Sequence, residues 1–427
     1  MGFPLSGLPA PTMPRLIPMN VPGSVPAPGG QASARSAASE HVAPKRGSST
    51  HGVSQRGISQ RGISQRLARK QGAPKRGATI AWRLLAIAVL LPVVSLSIFR
   101  AVPAPWSTPV VQLLAFTPWL VVPAVLALGL ALAGRRLWLT ALAAVVLAAQ
   151  LFWLFPLDAG RPVPDSAVPR TRITVLNINS HFGEAEAAEI VGLIREHGVE
   201  LLAVQEHTQG LEDRLVAEGL ERLLPHKLSE PKDDASGSAL YSAHPMEAVG
   251  VLPDTPFEMP TVRLVLGKGG AASVLEVTNV HAFPPVTGRA AQWRSDLAAL
   301  ARLTAAGTAG ARLLIGDFNA TYDHAEFRAV LDGSVAPGGS VAPGSGEGSD
   351  GGNEPDSVGA LKLVDVGTAA GRRLLPTWPM DGLPLPGIAI DHLVTSPRIA
   401  SSGYAVHRVP GTDHAAVLAT LEIPAGG

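Results

Sequence analysis

The chain has 427 residues, enough for two domains, and its formal net charge of +1 conceals a strong asymmetry. Residues 1–80 hold eleven Lys or Arg and one acid, whereas residues 171–427 hold eighteen Lys or Arg and thirty-one acids, a net charge of −13. An acidic globular part disfavours tight binding of DNA or RNA, which usually needs a basic face. The absence of cysteine excludes disulfides, thiolate metal sites and cysteine nucleophiles.

Residues 1–78 are rich in Pro, Gly, Ser and Arg and show no regular apolar period, so we predict a disordered basic tail. Within it GVSQR, GISQR and GISQR follow one another at 52–66, which places a positive charge at every fifth residue. Two interpretations are open. The tail either binds anionic lipid, or it is solvated and its charge only sets the orientation in the membrane.

Three apolar runs follow, at residues 80–99, 109–133 and 137–155, and each approaches the roughly 20 residues that cross a bilayer. We therefore predict three transmembrane helices within 79–156. An anchor is favoured over a signal peptide, because two further spans follow the first and no small-residue cleavage site separates them. The lipid bilayer is then a partner of this chain.

Basic residues around these runs predict the orientation. Several Lys and Arg precede the first run, and Arg135 and Arg136 lie between the second and the third. Because positively charged loops stay inside, the amino terminus is expected in the cytoplasm. After three spans, the chain beyond Phe155 is expected on the outer side of the cell membrane.

Residues 157–170 form a predicted Pro-rich linker, because prolines favour extended backbone. From residue 171 to 427, short β-type runs alternate with helical stretches at 184–197 and 289–306, which predicts a domain of α and β structure. Residues 332–358 contain GSVAPG twice and then a run rich in Gly, Ser and acids. We interpret this segment as a flexible insert, with a substrate lid as the alternative.

The segment LLIGDFN at 313–319 is the strongest candidate for chemistry. A buried hydrophobic strand stops at Gly316, and Asp317 and Asn319 follow two residues apart on one face of the strand end. The carboxylate can orient or deprotonate a water, and the amide can donate to a charge on a phosphate oxygen. GDFN can equally be a simple turn, in which Asp and Asn bond their own backbone.

Other predicted strands also end or begin in polar groups. Each has a structural explanation, such as a cap, a turn or a buried histidine, but the set is hard to attribute to turns. These positions are Asn179 after ITVLNI, Glu206 after LLAVQ, His281 after VTNV, Asp391 in AIDHL, and Asp413 and His414 before the last strand.

Together, ITVLNIN, VQE, GSALYS, NVH, GDFN, IDH and TDHAAV resemble the endonuclease/exonuclease/phosphatase superfamily, which includes deoxyribonuclease I. The resemblance covers about 170–427. It implies an α+β fold, a four-layer α/β/β/α sandwich of the deoxyribonuclease I type, preceded here by the three transmembrane helices and the disordered tail. The active site is then at one end of the sandwich, and the activity is hydrolysis of a phosphoester.

The resemblance also implies a metal site. Glu206 would be the principal ligand with help from Asn179, and Asp413 would lie on the metal side. Such oxygen ligands suit Mg²⁺ or Mn²⁺. Asn177 shares a strand face with Asn179 and stays an alternative, although we prefer Asn179.

By the same resemblance Asp317 would activate the attacking water and Asn319 would hold the phosphate oxygens. His414, oriented by Asp391, would face the phosphate, and His281 would act as a second acid or as a phosphate contact. The Trp of TWP at 377–379 tends to lie near the site in this superfamily, but we expect Trp378 to be a core residue.

The combination of three spans and this domain resembles the actinobacterial teicoplanin-resistance membrane proteins, which are proposed to act on polyprenyl phosphate or pyrophosphate carriers. It predicts a membrane-anchored hydrolase of a lipid-linked phosphoester at the outer membrane face. An extracytoplasmic nuclease is the first alternative. A catalytically inactive binding module is the second, and it predicts the loss of Glu206, Asp317 or His414. The sequence does not indicate an oligomeric state.

Overall fold

A computed structural model describes residues 76–157, 168–267, 272–306, 310–334, 336, 362–382 and 386–425. The expected disordered tail up to residue 75, with its GVSQR-type repeats, lies outside the described residues. So do residues 158–167 of the linker and nearly all of the proposed insert at 332–358.

Within the part of the chain that the structure describes, three segments are long and apolar enough to cross a membrane: Arg76–Ala101, Thr117–Gly134 and Leu137–Leu154. They pack through small side chains such as Ala86, Ala127 and Ala143, while many of their other apolar side chains are exposed. Such faces are expected of helices that contact lipid. We call the helices α1 (Arg76–Ala101), α2 (Thr108–Leu114), α3 (Val121–Gly134) and α4 (Leu137–Leu154).

The second apolar run is not one helix, as the sequence predicted, but two. Helix α2 ends at Leu114, and a 3₁₀ turn over Thr117–Leu120 leads into α3. The physical reason is proline: Pro118 and Pro123 lack the N–H that a continuous helix through this point would need. A second difference is that α1 begins at Arg76, three residues before the predicted start at 79.

The described residues of the domain form two six-stranded sheets. In chain order the strands are β1 (Arg170–Asn179), β2 (Leu201–Gln205), β3 (His226–Glu230), β4 (Ser238–Ser242), β5 (Met246–Val251), β6 (Pro260–Leu266), β7 (Ser273–His281), β8 (Ala311–Asp317), β9 (Val364–Asp365), β10 (Asp391–Thr395), β11 (Ala400–Arg408) and β12 (Ala415–Pro424). One sheet has the order β11-β12-β1-β2-β4-β3 and the other β5-β6-β7-β8-β10-β9.

Helices cover the outer faces of both sheets, which confirms the predicted four-layer sandwich. Helices α5 (Ala187–His197), α6 (Gln209–Ala217) and α7 (Leu220–Leu223) pack on the first sheet, and α8 (Ala290–Ala305) and α9 (Ala325–Asp332) on the second. A short helix, α10 (Val366–Ala369), follows β9. The helix predicted at 184–197 begins three residues later, at Ala187, and the helix predicted at 289–306 begins one residue later, at Ala290.

Strand alternation carries polar side chains to one end of the layer between the sheets. In β1, Ile173 and Val175 face the opposite sheet, whereas Leu176 and Ile178 face the helices. Asn177 and Asn179 continue the inward face. Register brings the inward positions of the neighbouring strands to the same end, because Asn179 pairs with Gln205, His281 with Asp317, and Asp317 with Asp391.

The domain is fastened to the helix ends that lie opposite Arg135 and Arg136. Arg100, at the end of α1, donates to the buried carboxylate of Asp323 at 2.7 Å, and Arg373 bonds the other oxygen of the same carboxylate. Arg373 also donates to the carbonyl of Trp153, at the end of α4. One buried acid is therefore held by a membrane helix and by the domain at once.

Gly316 illustrates how closely the strands of the site approach one another. Its φ is +150°, and a Cβ built there would lie 1.9 Å from the carbonyl oxygen of Val280 in β7. We expect Gly316→Ala to reduce the free energy of unfolding by about 1–3 kcal/mol or more, because backbone must move to admit the methyl group. Thermal or urea unfolding of the full chain in detergent measures this.

Gly192→Ala is the matched control. Gly192 lies inside α5 and a Cβ there would meet nothing within 4 Å, so the substitution should raise the free energy of unfolding by up to about 1 kcal/mol. Equal effects of the two variants would contradict this account of Gly316.

Candidate active site

Two buried carboxylates and an imidazole form the centre of the site. Asp317 ends β8 and Asp391 begins β10, where they are register partners. His414, just before β12, approaches Asp391 Oδ2 with Nδ1 at 2.9 Å and Asp317 Oδ2 with Nε2 at 3.8 Å. All three side chains are buried, so their charges compensate one another rather than being screened by water.

The charges of this group determine which of its members carries a proton. Burial alone would lower the pKa of His414, but the carboxylates of Asp391 and Asp317 outweigh it and raise that pKa to about 10. Burial raises the pKa of Asp317 to about 7, against the attraction of His414. Near neutral pH His414 is therefore an imidazolium whose Nδ1–H donates to Asp391.

Glu206 and Asn179 lie on the other side of Asp317. Glu206 follows β2 in a left-handed conformation with a φ of +54°. The Asn179 amide donates to Glu206 Oε1 at 3.2 Å and to Asp317 Oδ2 at 3.1 Å. Phe182 donates its backbone N–H to Glu206 Oε2 at 2.8 Å. One amide thus joins the two carboxylates that the sequence placed on different strands.

Asn177 has a different role in the structure. Its amide nitrogen lies 3.4 Å from Asp391 Oδ1, and its carbonyl oxygen accepts from Gln205 Nε2 at 2.8 Å. Asn177 therefore lies behind Asp391, while Asn179 is the asparagine beside Glu206.

The GDFN segment is both a turn and part of the site. Asp317 Oδ1 accepts the backbone N–H of Asn319 at 2.8 Å, which is the local bond that the turn interpretation expects. Asn319 has a φ of +47°. Its amide donates to the Ala282 carbonyl at 2.9 Å and lies 3.2 Å from Asp317 Oδ2. The turn is what aims the Asn319 amide at the carboxylate.

His281 is close to both acidic groups but differs from His414 in charge. Its Nε2 lies 3.8 Å from Glu206 Oε1 and 4.0 Å from Asp317 Oδ2, and its ring stacks on Phe257 with centroids 4.5 Å apart. Burial, aided by the positive charge of His414, lowers the pKa of His281 to about 3. A neutral imidazole suits the expected phosphate contact better than the expected acid.

Asp413 and Trp378 form the rim of the site. Trp378 Nε1–H donates to Asp413 Oδ2 at 2.8 Å, and Asp413 Oδ1 lies 4.0 Å from His414 Nε2. The expectation that Trp378 is a core residue is wrong: the ring is only partly buried. An indole N–H needs a partner when it leaves water, and here a site carboxylate supplies it.

A buried amide network behind the site was not predicted. Gln205 Nε2 donates to the carbonyl oxygens of Asn177 at 2.8 Å and Asn279 at 2.6 Å. Asn279 in turn donates to Ser238 Oγ at 2.8 Å, so the network joins the two sheets. The alternation of side chains along the strands could have indicated this network, because Gln205 and Asn279 occupy inward positions next to Glu206 and His281.

The donor chemistry fits a hard divalent cation. Asp317, Asp391 and His414 offer ligand atoms within 4.8 Å of one another, which is one group that could hold a metal. In that group, however, Asp391 and His414 already satisfy each other. Beside Glu206 lies the Asn179 side chain, whose amide oxygen accepts the backbone N–H of His181 at 3.0 Å, and burial raises the pKa of Glu206. A cation here would stabilise the charged form of that carboxylate.

Comparison with known proteins places this geometry in context. A family model described as "Endonuclease/Exonuclease/phosphatase family" matches residues 175–414. No curated protein matches the sequence.

Several solved structures are similar to the chain. Among them are TDP2 from D. rerio complexed with single strand DNA product (12% identity, 59% of this chain and 99% of that one, TM-score 0.41) and an endonuclease/exonuclease/phosphatase family protein from Bacteroides thetaiotaomicron (15%, 60% and 96%, TM-score 0.39). The human Nocturnin catalytic domain is a third (16%, 60% and 97%, TM-score 0.39).

The Asp391–His414 pair predicts a shift in the pH profile of catalysis. Asp391→Asn removes a negative charge that raises the pKa of His414, so the imidazolium should be lost at a lower pH. We expect the alkaline limb of kcat/KM to move down by about 1–3 pH units. The exposed Asp381 provides a control, because Asp381→Asn should leave the profile unchanged. An alkaline limb that stays in place in Asp391→Asn would contradict the assignment.

Proposed function

Because the chain belongs to the endonuclease/exonuclease/phosphatase family, whose members are phosphoester hydrolases, we propose that it hydrolyses a lipid-linked phosphate or pyrophosphate at the outer face of the membrane. The observation that carries the proposal is the contact between loops of the site and α2, the short helix that joins two segments apolar enough to cross a membrane. Gln112 in α2 donates to the Pro285 carbonyl at 3.1 Å, in the loop after His281. His324 Nε2 lies 2.9 Å from the carbonyl of Val111, also in α2.

The residues of the site divide the work of hydrolysis. Asp317, with a pKa near neutrality, orients a water and accepts its proton. His414 donates from Nε2 to a phosphate oxygen, while Asp391 holds the ring through Nδ1. The Asn319 amide, on exchanging its bond to Asp317 Oδ2 for one to the substrate, and neutral His281 bind the remaining phosphate oxygens as negative charge develops on them.

The metal site of this proposal consists of Glu206 and Asn179, with Asp413 as a further oxygen ligand on the rim. Bound Mg²⁺ or Mn²⁺ would neutralise charge on the phosphoryl group and on the leaving oxygen. Asn179 also orients Glu206 and Asp317 relative to each other, because it bonds both.

Charge distribution supports the outward orientation of the domain. Arg135 and Arg136 lie between α3 and α4, at the bundle end opposite the domain. The positive-inside rule then places that end in the cytoplasm. The acidic domain favours a lipid headgroup substrate over a nucleic acid, and the inactive module is disfavoured because Glu206, Asp317 and His414 are all present.

Catalysis should require a divalent cation and the carboxylates of Asp317 and Glu206. Full-length protein in detergent should release phosphate from polyprenyl phosphate with Mg²⁺ or Mn²⁺, and a chelator should abolish this reversibly. Asp317→Asn should lower kcat by roughly 10²–10⁴-fold, because the water loses its base. Glu206→Gln should raise the metal concentration needed for half-maximal activity.

Glu247→Gln is the matched control for both variants, because Glu247 is exposed on β5, and it should keep wild-type kinetics. DNA degradation without release of phosphate from any lipid substrate would favour the nuclease. Inactivity of the wild type on both substrate classes would favour a binding module.

Membrane orientation is tested separately. A reporter enzyme that works only outside the cytoplasm, fused after Gly427, should be active. The same reporter fused between Arg135 and Arg136 should be silent. The reverse pattern would place the domain in the cytoplasm and remove the argument for an outer-face substrate.

A further inference from the structure

An apolar cavity of about 350 Å³ lies between α2, the short helix that follows α1, and the loops of the active site. Val111, Ala115 and Phe116 form one wall, and the loop at 284–286 with Ile388 forms another. The volume falls in the range of roughly 300–1,000 Å³ that is typical of small-molecule sites. It is therefore large enough to receive part of a substrate.

One end of the cavity reaches the catalytic residues. Asn319 and Trp378 both border it. The Asn319 amide lies 3.2 Å from Asp317 Oδ2, and Trp378 donates to Asp413. A molecule with its phosphate at Asp317 and His414 would thus have its next atoms at the mouth of the cavity.

The other end is formed by the chain between α1 and α3. Helix α2 follows α1 after the short stretch 102–107, and Phe116 is followed by the 3₁₀ turn that leads into α3. The wall opposite the catalytic residues is therefore continuous with segments apolar enough to span a membrane.

The polar groups on the cavity wall are largely engaged. Gln112 donates to the Pro285 carbonyl, and His324 bonds Val111 through Nε2 and the Thr321 backbone N–H through Nδ1. A nucleobase placed here would lose hydrogen bonds to water without regaining them, which is unfavourable. A hydrocarbon chain has no such groups, and each methylene that it buries contributes roughly fourfold in affinity.

We propose that this cavity binds the hydrocarbon units next to the phosphate of a lipid-linked substrate, and so selects for an extended apolar chain. The inference rests on the proposed function. It adds a specificity site to it, formed jointly by α2 and the loop after His281.

Ala115→Phe tests the proposal, because Ala115 is buried on the cavity wall and the added ring would fill the space. Leu113→Phe is the matched control, since Leu113 lies two residues earlier, near the end of α2, but is 51% exposed. The two substrates are a long polyprenyl phosphate and methyl phosphate, which has no chain. The ratio of their kcat/KM values should fall at least tenfold in Ala115→Phe and stay unchanged in Leu113→Phe.

Val286→Trp, from the opposite wall, should reduce the same ratio. It replaces Ala115→Phe as the test if that variant does not fold. An unchanged ratio in the folded wall variants, with the wild type active on the long substrate, would overturn the inference and leave the proposed function intact. A wild type that releases phosphate from methyl phosphate but not from polyprenyl phosphate would instead overturn the proposed function.

A photoactivatable polyprenyl phosphate gives a readout that does not depend on turnover. Bound to Asp317→Asn protein, it should label peptides containing residues 111–116 or 284–286, and excess unlabelled polyprenyl phosphate should compete. Labelling confined to the exposed faces of α1, α3 and α4 would contradict the proposal.

Discussion

The structure depends on the close burial of Asp317 and Asp391 at adjacent register positions of β8 and β10. Two carboxylates in an interior are unfavourable unless cationic or donor groups compensate them. His414 supplies the positive charge, the Asn177 amide donates to Asp391, and the Asn179 amide donates to Asp317. The end of the inter-sheet layer where β8 ends and β10 begins therefore cannot be apolar, whereas the rest of the layer can.

Much of the site could be predicted because each functional residue lies at the end of a strand with a clear apolar pattern. Asp317 after LLIG, Glu206 after LLAVQ and Asp391 before HLVT are examples. Their convergence follows from strand alternation and from the parallel pairing of β1 with β2 and β7 with β8. The four-layer fold follows from the same strands and helices, once their order is known.

What could not be predicted depends on contacts between distant segments. The inward position of Gln205 follows from strand alternation, but its bond to Asn279 and the bond from Trp378 to Asp413 have no local signal, because each partner is far away in sequence. The four edge strands β3, β5, β9 and β11 were not predicted, because three of them have few buried side chains and β9 has only two residues. The break after α2 was not predicted, because a hydropathy average gives a single proline little weight, although Pro118 interrupts backbone hydrogen bonding.

Asp323, held by Arg100 and Arg373, has a consequence for how such a protein would meet its substrate. Because one buried carboxylate joins the end of α1 to the domain, the domain has little freedom to rotate about its linker. With the helices in a bilayer, the catalytic cleft would keep a constant height and tilt above the headgroups. Encounter with a lipid-linked substrate of the kind proposed would then be a two-dimensional search, limited by lateral diffusion of that lipid and by its density in the leaflet.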